Sequence, residues 1–264
     1  MSTVTEPSLQ QSLAIQWRVF KALLLRELIT RFGRRNLGVL WLVLEPMLFT
    51  LAVLAFWHYG GMSKKALPVV PFAITGYSSV LMWRNIVSHC NGTVSQNSAL
   101  FYHRNVRVLD AFAARVALEV AGATASFALL CIIFVFIGAM HLPNDVGLIL
   151  VGWCMLGWFG TGLALVVGSI TTYSPVVGRL WTPVSYVLFP LSGAIFMVDW
   201  LPPEAREFVL WLPMVHGVEV LREGYFGNVV RTHYDLGYMA SCNLVLTLIG
   251  LLLMRRAARW AEEA

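Results

Sequence analysis

Four residues with acid–base chemistry stand at helical spacing late in the chain: His216, Glu219, Arg222 and Glu223. Residues three and four apart share one face of a helix, so these four can meet. A histidine between two carboxylates could move protons. The stretch has no nucleophile pattern and no metal set beyond that single histidine. A structural polar network that holds short helices together is therefore the stronger reading. A second oddity is Glu45–Pro46, a carboxylate and a helix breaker inside an otherwise apolar run. The proline predicts a kink or a freed carbonyl, hence a break at one mouth of the membrane. The competing reading is a structural glutamate paired with an arginine of the preceding segment. Arginines supply the third chemistry. Arg31, Arg34 and Arg35 precede the first long apolar run, and Arg84 marks the end of the second. A guanidinium binds phosphate oxygens in pairs and stays charged at membrane depth, so these residues are candidates for an anionic cargo. They could equally be topology signals facing anionic headgroups.

Other chemistries are excluded by residue type. The lysines are Lys21, Lys64 and Lys65, and none has a glycine before it with Ser or Thr after it, so there is no P-loop. Cys90, Cys131, Cys154 and Cys242 show no CxxC or Cys/His spacing and read as free thiols in helix packing. Buried carboxylates are too few for a proton relay, with Glu45 deep in a run and Glu119 near an end. No pair of broken helices occupies matching halves, which disfavours a carrier of inverted repeats.

The elements that must position these residues are membrane helices. The hydrophobic fraction is 58% and the charged fraction 12%, about half the charge of a soluble domain. Six long apolar runs begin near Leu37, Pro68, Ala111, Val146, Leu180 and Leu236. The first reaches Trp57 with a single charge, Glu45, and as a helix would be roughly 31 Å long, enough to cross a bilayer. The third is expected from Asp110 to Met140, with Arg115 and Glu119 placed to pair at i, i+4. The fourth, Val146 to Ile170, is rich in glycine and should be central and closely packed. The fifth, Leu180 to Val198, carries Pro183 and Pro190 and should kink. Between Asp199 and Asp235 lie two pieces too short to span, Glu204–Leu212 and Met214–Phe226, expected as re-entrant or interfacial helices. Before the first run, Leu13, Trp17, Phe20, Leu24 and Leu28 form a stripe, with Arg18, Arg26, Glu27 and Arg34 off it. That pattern predicts an amphipathic helix in the interface, anchored by Trp17.

The organisation expected is a tail and interface helix over 1–36, a membrane domain over 37–254 and a tail over 255–264. Charge sets the orientation. Of the 19 basic residues, all but Lys64, Lys65, Arg206, Arg222 and Arg231 fall on one side of a six-crossing chain. The basic side is the cytoplasm, which places both termini there. The net charge of +5 thus reports topology and does not indicate nucleic acid. Ten Trp, eight Tyr and fifteen Phe are present. Trp41, Trp57, Trp83 and Trp200 suit a headgroup belt, while some aromatics, Tyr77 among the candidates, could line a path for sugar rings.

Two stretches carry a family resemblance. Leu25–Pro46, LRELITRFGRRNLGVLWLVLEP, resembles the interface-helix-to-first-crossing signature of ABC-2-type exporter permeases. Trp211–Tyr225, WLPMVHGVEVLREGY, resembles the segment before the last crossing in the capsular polysaccharide branch, with Leu212 where that branch often has Asn. The resemblance implies an all-α membrane fold of six helices, a permease that works as a homodimer, and two copies of a separate ATPase beneath it. ATP and Mg would be bound by that partner and no cofactor by this chain. The ATPase contact would fall in His89–Arg107, with Ser95, Gln96, Asn97, Leu100, Phe101, Tyr102, His103 and Arg104 as coupling candidates. The path would draw on Arg31, Arg34, Arg35, Trp41, Tyr77, Trp83 and Arg84. Glu45, Pro46, His216, Glu219 and Arg222 would serve gating or structure. The cargo would be a lipid-linked, usually anionic polysaccharide crossing the inner membrane of a Gram-negative bacterium, passed on to periplasmic and outer-membrane proteins. Alternatives are O-antigen or teichoic acid as cargo, a membrane enzyme acting on lipid-linked sugars, or a purely structural subunit. The enzyme would need a carboxylate cluster or Asp-rich metal site, and neither is visible.

Overall fold

The computed structural model describes residues 9–32, 37–59, 67–97 and 106–263. Its described residues fold into ten α-helices and two short 3-10 turns, with no strand. They are α1 (Leu9–Phe32), α2 (Leu37–Tyr59), α3 (Val69–Cys90), α4 (Thr93–Gln96) and α5 (Val108–Phe136). There follow α6 (Val146–Tyr173), α7 (Pro175–Leu191), α8 (Pro203–Leu210), α9 (Pro213–Phe226) and α10 (Leu236–Glu263). Every apolar run thus became a helix. Four helices are both long and apolar enough to cross a membrane: Leu40–Trp57 of α2, Val108–Phe136, Val146–Tyr173 and Leu236–Arg259 of α10.

The other two runs depart from that pattern for different reasons. Helix α3 has 22 residues but carries Thr75, Ser78, Ser79, Arg84, Asn85 and His89. It is covered by protein over most of its length, so its sequence is not required to match lipid. Helix α7 has 17 residues, roughly 26 Å. It begins earlier than expected because Pro175 occupies its first turn, where a missing N–H costs nothing. It ends at Leu191, well before Val198, and Arg179 lies within it rather than in a connection. Likewise α5 ends at Phe136, short of Met140, where the chain turns through Gly138 at φ +79°.

Helix α6 is the centre of the bundle. The expectation of close packing holds: a Cβ on Gly160 would lie 2.8 Å from Trp83 Cα, and one on Gly152 would lie 2.8 Å from the Gly217 carbonyl. Backbones this near require glycine. Around α6 pack α3, α9 and α10, and Trp83, Ile86, Leu156, Leu221 and Met239 are fully buried between them.

Helix α1 departs from the expected pattern at Glu27. Leu13 and Trp17 are exposed, at 70% and 58%, while Leu23 is buried. The face turned toward α5 includes Glu27, which the pattern placed on the polar side. The reason is that α5 presents an arginine there, so a carboxylate is the better neighbour. The break expected at Pro46 is also absent. Helix α2 is continuous from Leu37 to Tyr59, and the Thr50 hydroxyl donates to the Pro46 carbonyl at 3.0 Å.

Candidate functional site

At one end of the bundle α9 carries the four polar residues predicted to share a face. Pro213 starts the helix and Gly227, at φ +59°, ends it. Each side chain reaches into a flanking connection, three of them to backbone and Glu223 to a hydroxyl. Arg222, fully buried, donates to the carbonyls of Gly193, Ala194 and Phe196, and its guanidinium lies 3.9 Å from the Phe72 ring centre. Glu219 accepts from the amides of Val198, at 3.2 Å, and His233, at 3.1 Å. His216 bridges the Leu210 carbonyl at 2.8 Å and the Asp235 amide at 2.9 Å. Glu223 accepts from the Thr232 hydroxyl. The network thus pins both connections that flank α8 and α9. A buried arginine spent on three carbonyls has no charge available for proton chemistry, and no group of three metal-ligating side chains occurs among the described residues.

From that end an aromatic strip runs along α2, α3 and α7. Trp200 stacks on Phe72 at 5.2 Å between ring centres, Phe72 on Trp57 at 5.9 Å, and Trp57 meets Tyr77 edge-on at 5.6 Å. Tyr77 then meets Phe189 at 5.3 Å and Phe49 at 6.3 Å. At the far end Arg84 lies over the Tyr186 ring at 4.5 Å, and its Nε donates to the Ser185 hydroxyl at 3.3 Å. Arg84 sits inside α3, six residues before its end, and is half-buried. Trp41 is 52% exposed on α2. Trp83 does not join this strip. It is fully buried against Phe159 of α6, 5.5 Å away, and acts as a packing group within α3 rather than at a helix end.

The opposite end holds a second polar cluster that spacing alone did not reveal. Arg115 of α5 is its hub. It pairs with Glu27 of α1 at 3.0 Å and donates to the His89 carbonyl at 2.9 Å, the Thr93 hydroxyl at 2.9 Å and Gln96 Oε1 at 2.8 Å. Arg26 of α1 donates to Asn97 Oδ1 at 2.7 Å, and the His89 ring meets Glu119 at 2.9 Å. Arg115 and Glu119, expected as mutual partners, each reach another element. Ser95 is exposed and bonds the Gly92 carbonyl. Glu45 is exposed, and with Pro46, Asn85, His89 and Glu119 it lines a small cleft beside the cluster. Of the remaining candidates, Arg34, Arg35, Leu100, Phe101, Tyr102, His103 and Arg104 lie outside the described residues, as does the side chain of Arg31. The signal that could have found the hub was an arginine inside a helix of otherwise transmembrane apolarity, since such a charge demands partners.

Comparison with known proteins places this architecture. The family model for ABC-2 type transporters matches residues 18–226. The capsule polysaccharide export inner-membrane protein CtrC of Neisseria meningitidis is 43% identical over 263 residues, covering 99% of both chains. The capsule polysaccharide export inner-membrane protein BexB of Haemophilus influenzae is 42% identical over 258 residues, covering 97% of both. The polysialic acid transport protein KpsM of Escherichia coli is 30% identical over 245 residues, covering 91% of this chain and 94% of that one.

Proposed function

Because the chain belongs to the ABC-2 type transporter family, we propose that it is the membrane subunit of a capsular polysaccharide exporter. It moves a lipid-linked polysaccharide across the inner membrane of a Gram-negative bacterium and performs no catalysis of its own. The observation that carries this reading is end-to-end similarity to proteins named for capsule export at the inner membrane. All six apolar helices cross the bilayer, α3 shielded by its neighbours and α7 with most of its length turned outward, and both termini face the cytoplasm. Helices α8 and α9 dip back on the periplasmic side. Two copies assemble with two copies of a cytoplasmic ATPase, which holds the ATP and Mg, and periplasmic and outer-membrane proteins receive the cargo. The ATPase docks at the connection after α3, and the basic start of the chain faces the incoming anionic polymer.

The exposed rings along this line, Phe49, Tyr186 and Trp200, suit a sugar path because ring faces stack on sugars without one fixed geometry, while Phe72 and Tyr77 are buried and support them from within. Arg84 closes the strip at the cytoplasmic side, with its guanidinium held flat by Tyr186 and Ser185. Lysine keeps the charge and loses the planar fork, so Arg84→Lys should lower surface polysaccharide several-fold at matched expression. Normal export would limit Arg84 to packing and topology. The test of the whole reading is reconstitution. The purified chain alone should hydrolyse no ATP, and with the ATPase encoded beside it, hydrolysis should rise when lipid-linked polysaccharide is added. Hydrolysis by the chain alone, or a complex indifferent to polysaccharide, would refute it.

A further inference from the structure

The cluster around Arg115 joins three elements that otherwise meet only at their edges. Arg115 belongs to α5, and its side chain is 8% exposed. Its donors go to α1 through Glu27, to the end of α3 through the His89 carbonyl, and to α4 through Thr93 and Gln96. A guanidinium can do this because its donors are fixed in one plane and point in several directions at once. A second link, Arg26 to Asn97, runs parallel to it. The turn between α3 and α4 is made by Gly92 at φ +74°, a conformation that glycine adopts without the strain a side chain would bring. Buried Thr93 and Val94 seat α4 against α6 and α10, and the arginine links add its connection to α1.

We propose that Arg115 is the positioning residue that makes α4 and the interface helix α1 one mechanical unit. A displacement of α4 by the docked ATPase then passes to α1, where the chain meets its cargo. The inference rests on the preceding reading that an ATPase docks beside α4. His89 and Glu119 brace the assembly by fixing the end of α3 to α5.

The test uses the full complex with the ATPase. Arg115→Lys keeps the charge but cannot reach four acceptors; Glu27→Gln keeps the size and removes the ion pair, and serves if the first variant folds poorly. In either, ATPase capture and the KM for ATP should match wild type, because nucleotide binds elsewhere. Stimulation of hydrolysis by lipid-linked polysaccharide should fall about tenfold or more, the scale of a lost charge-assisted hydrogen bond. Arg26→Cys with Asn97→Cys, joined by a short bis-maleimide in a chain whose native cysteines are alanine, should restore stimulation to the Arg115→Lys background. A purely structural arginine would not be rescued this way. Undiminished stimulation in both variants, loss of ATPase capture, or failure of the cross-link to rescue would each overturn the proposal. Failure of the wild-type chain to capture any ATPase would instead bring down the exporter reading beneath it.

Discussion

Arg222 shows what a single buried charge can organise. It is fully buried, and the carbonyls of Gly193, Ala194 and Phe196 are its hydrogen-bond acceptors. Removing it orphans three acceptors at once and leaves Glu219 without a nearby cation. Arg222→Ala should therefore cost about 3 kcal/mol or more, read as a lowered Tm in detergent, and Arg222→Lys should recover part of it. Asp199 gives a milder, pH-dependent case. The hydrogen bond from His233 holds its carboxyl below the ordinary value of 3.8, with Arg206 helping. A lowered folded value means the contribution is complete above 3.8 and lost as pH falls through that lower value. The Tm of Asp199→Asn should thus sit below wild type at neutral pH, and the two should converge in acid. A gap that persisted at the acid end would assign the effect to something other than this carboxylate. The sequence revealed the α9 residues because their spacing was local. It could not reveal their partners, most of which are backbone groups in the flanking connections and carry no side-chain signature.

At the scale of elements, α6 and α3 are the informative pair. The glycines of α6 announced close packing, and the contact with Trp83 is where it occurs. Gly160→Ala places a methyl 2.8 Å from Trp83 Cα, so the helices must part, and folded yield should drop sharply. Gly157→Ala meets nothing nearer than Met82 Cε at 3.8 Å and should be neutral or slightly stabilising, since alanine is the better helix former. Equal yields for the two variants would show that α6 does not pack as described. The long helices were legible because apolar runs of this length leave few alternatives, whereas the four-residue α4 inside a polar connection was not foreseen. Boundaries were less so. The end of α7 at Leu191 depends on Gly193 at φ +85° and on Arg222 claiming the following carbonyls, both tertiary facts. The placement of Glu27 was hidden for the same kind of reason: it turns inward because Arg115 waits there, and no local pattern encodes a partner on α5.

For the whole molecule, the orientation can be checked directly. Leu142, 79% exposed in the turn between α5 and α6, should be periplasmic, and Arg256, near the end of α10, cytoplasmic. In a cysteine-free chain, Leu142→Cys should react with an impermeant maleimide in cells with a permeabilised outer membrane, and Arg256→Cys should react only after lysis. The reverse pattern would invert the topology. A larger point follows from how completely the bundle around α6 is filled. Trp83, Ile86, Leu156 and Leu221 are fully buried where α3, α6 and α9 meet, and the clasp at Arg222 ties down the adjoining connection. On the exporter reading proposed above, a hydrated sugar polymer travels along an outer flank and not through this buried core, and α7 leaves Tyr186 and Val187 bare on one such flank. If two copies assemble as proposed, the bore of the conduit is a distance between neighbours, free to widen for a bulky polymer and to shut when none is present, without unpacking a single core.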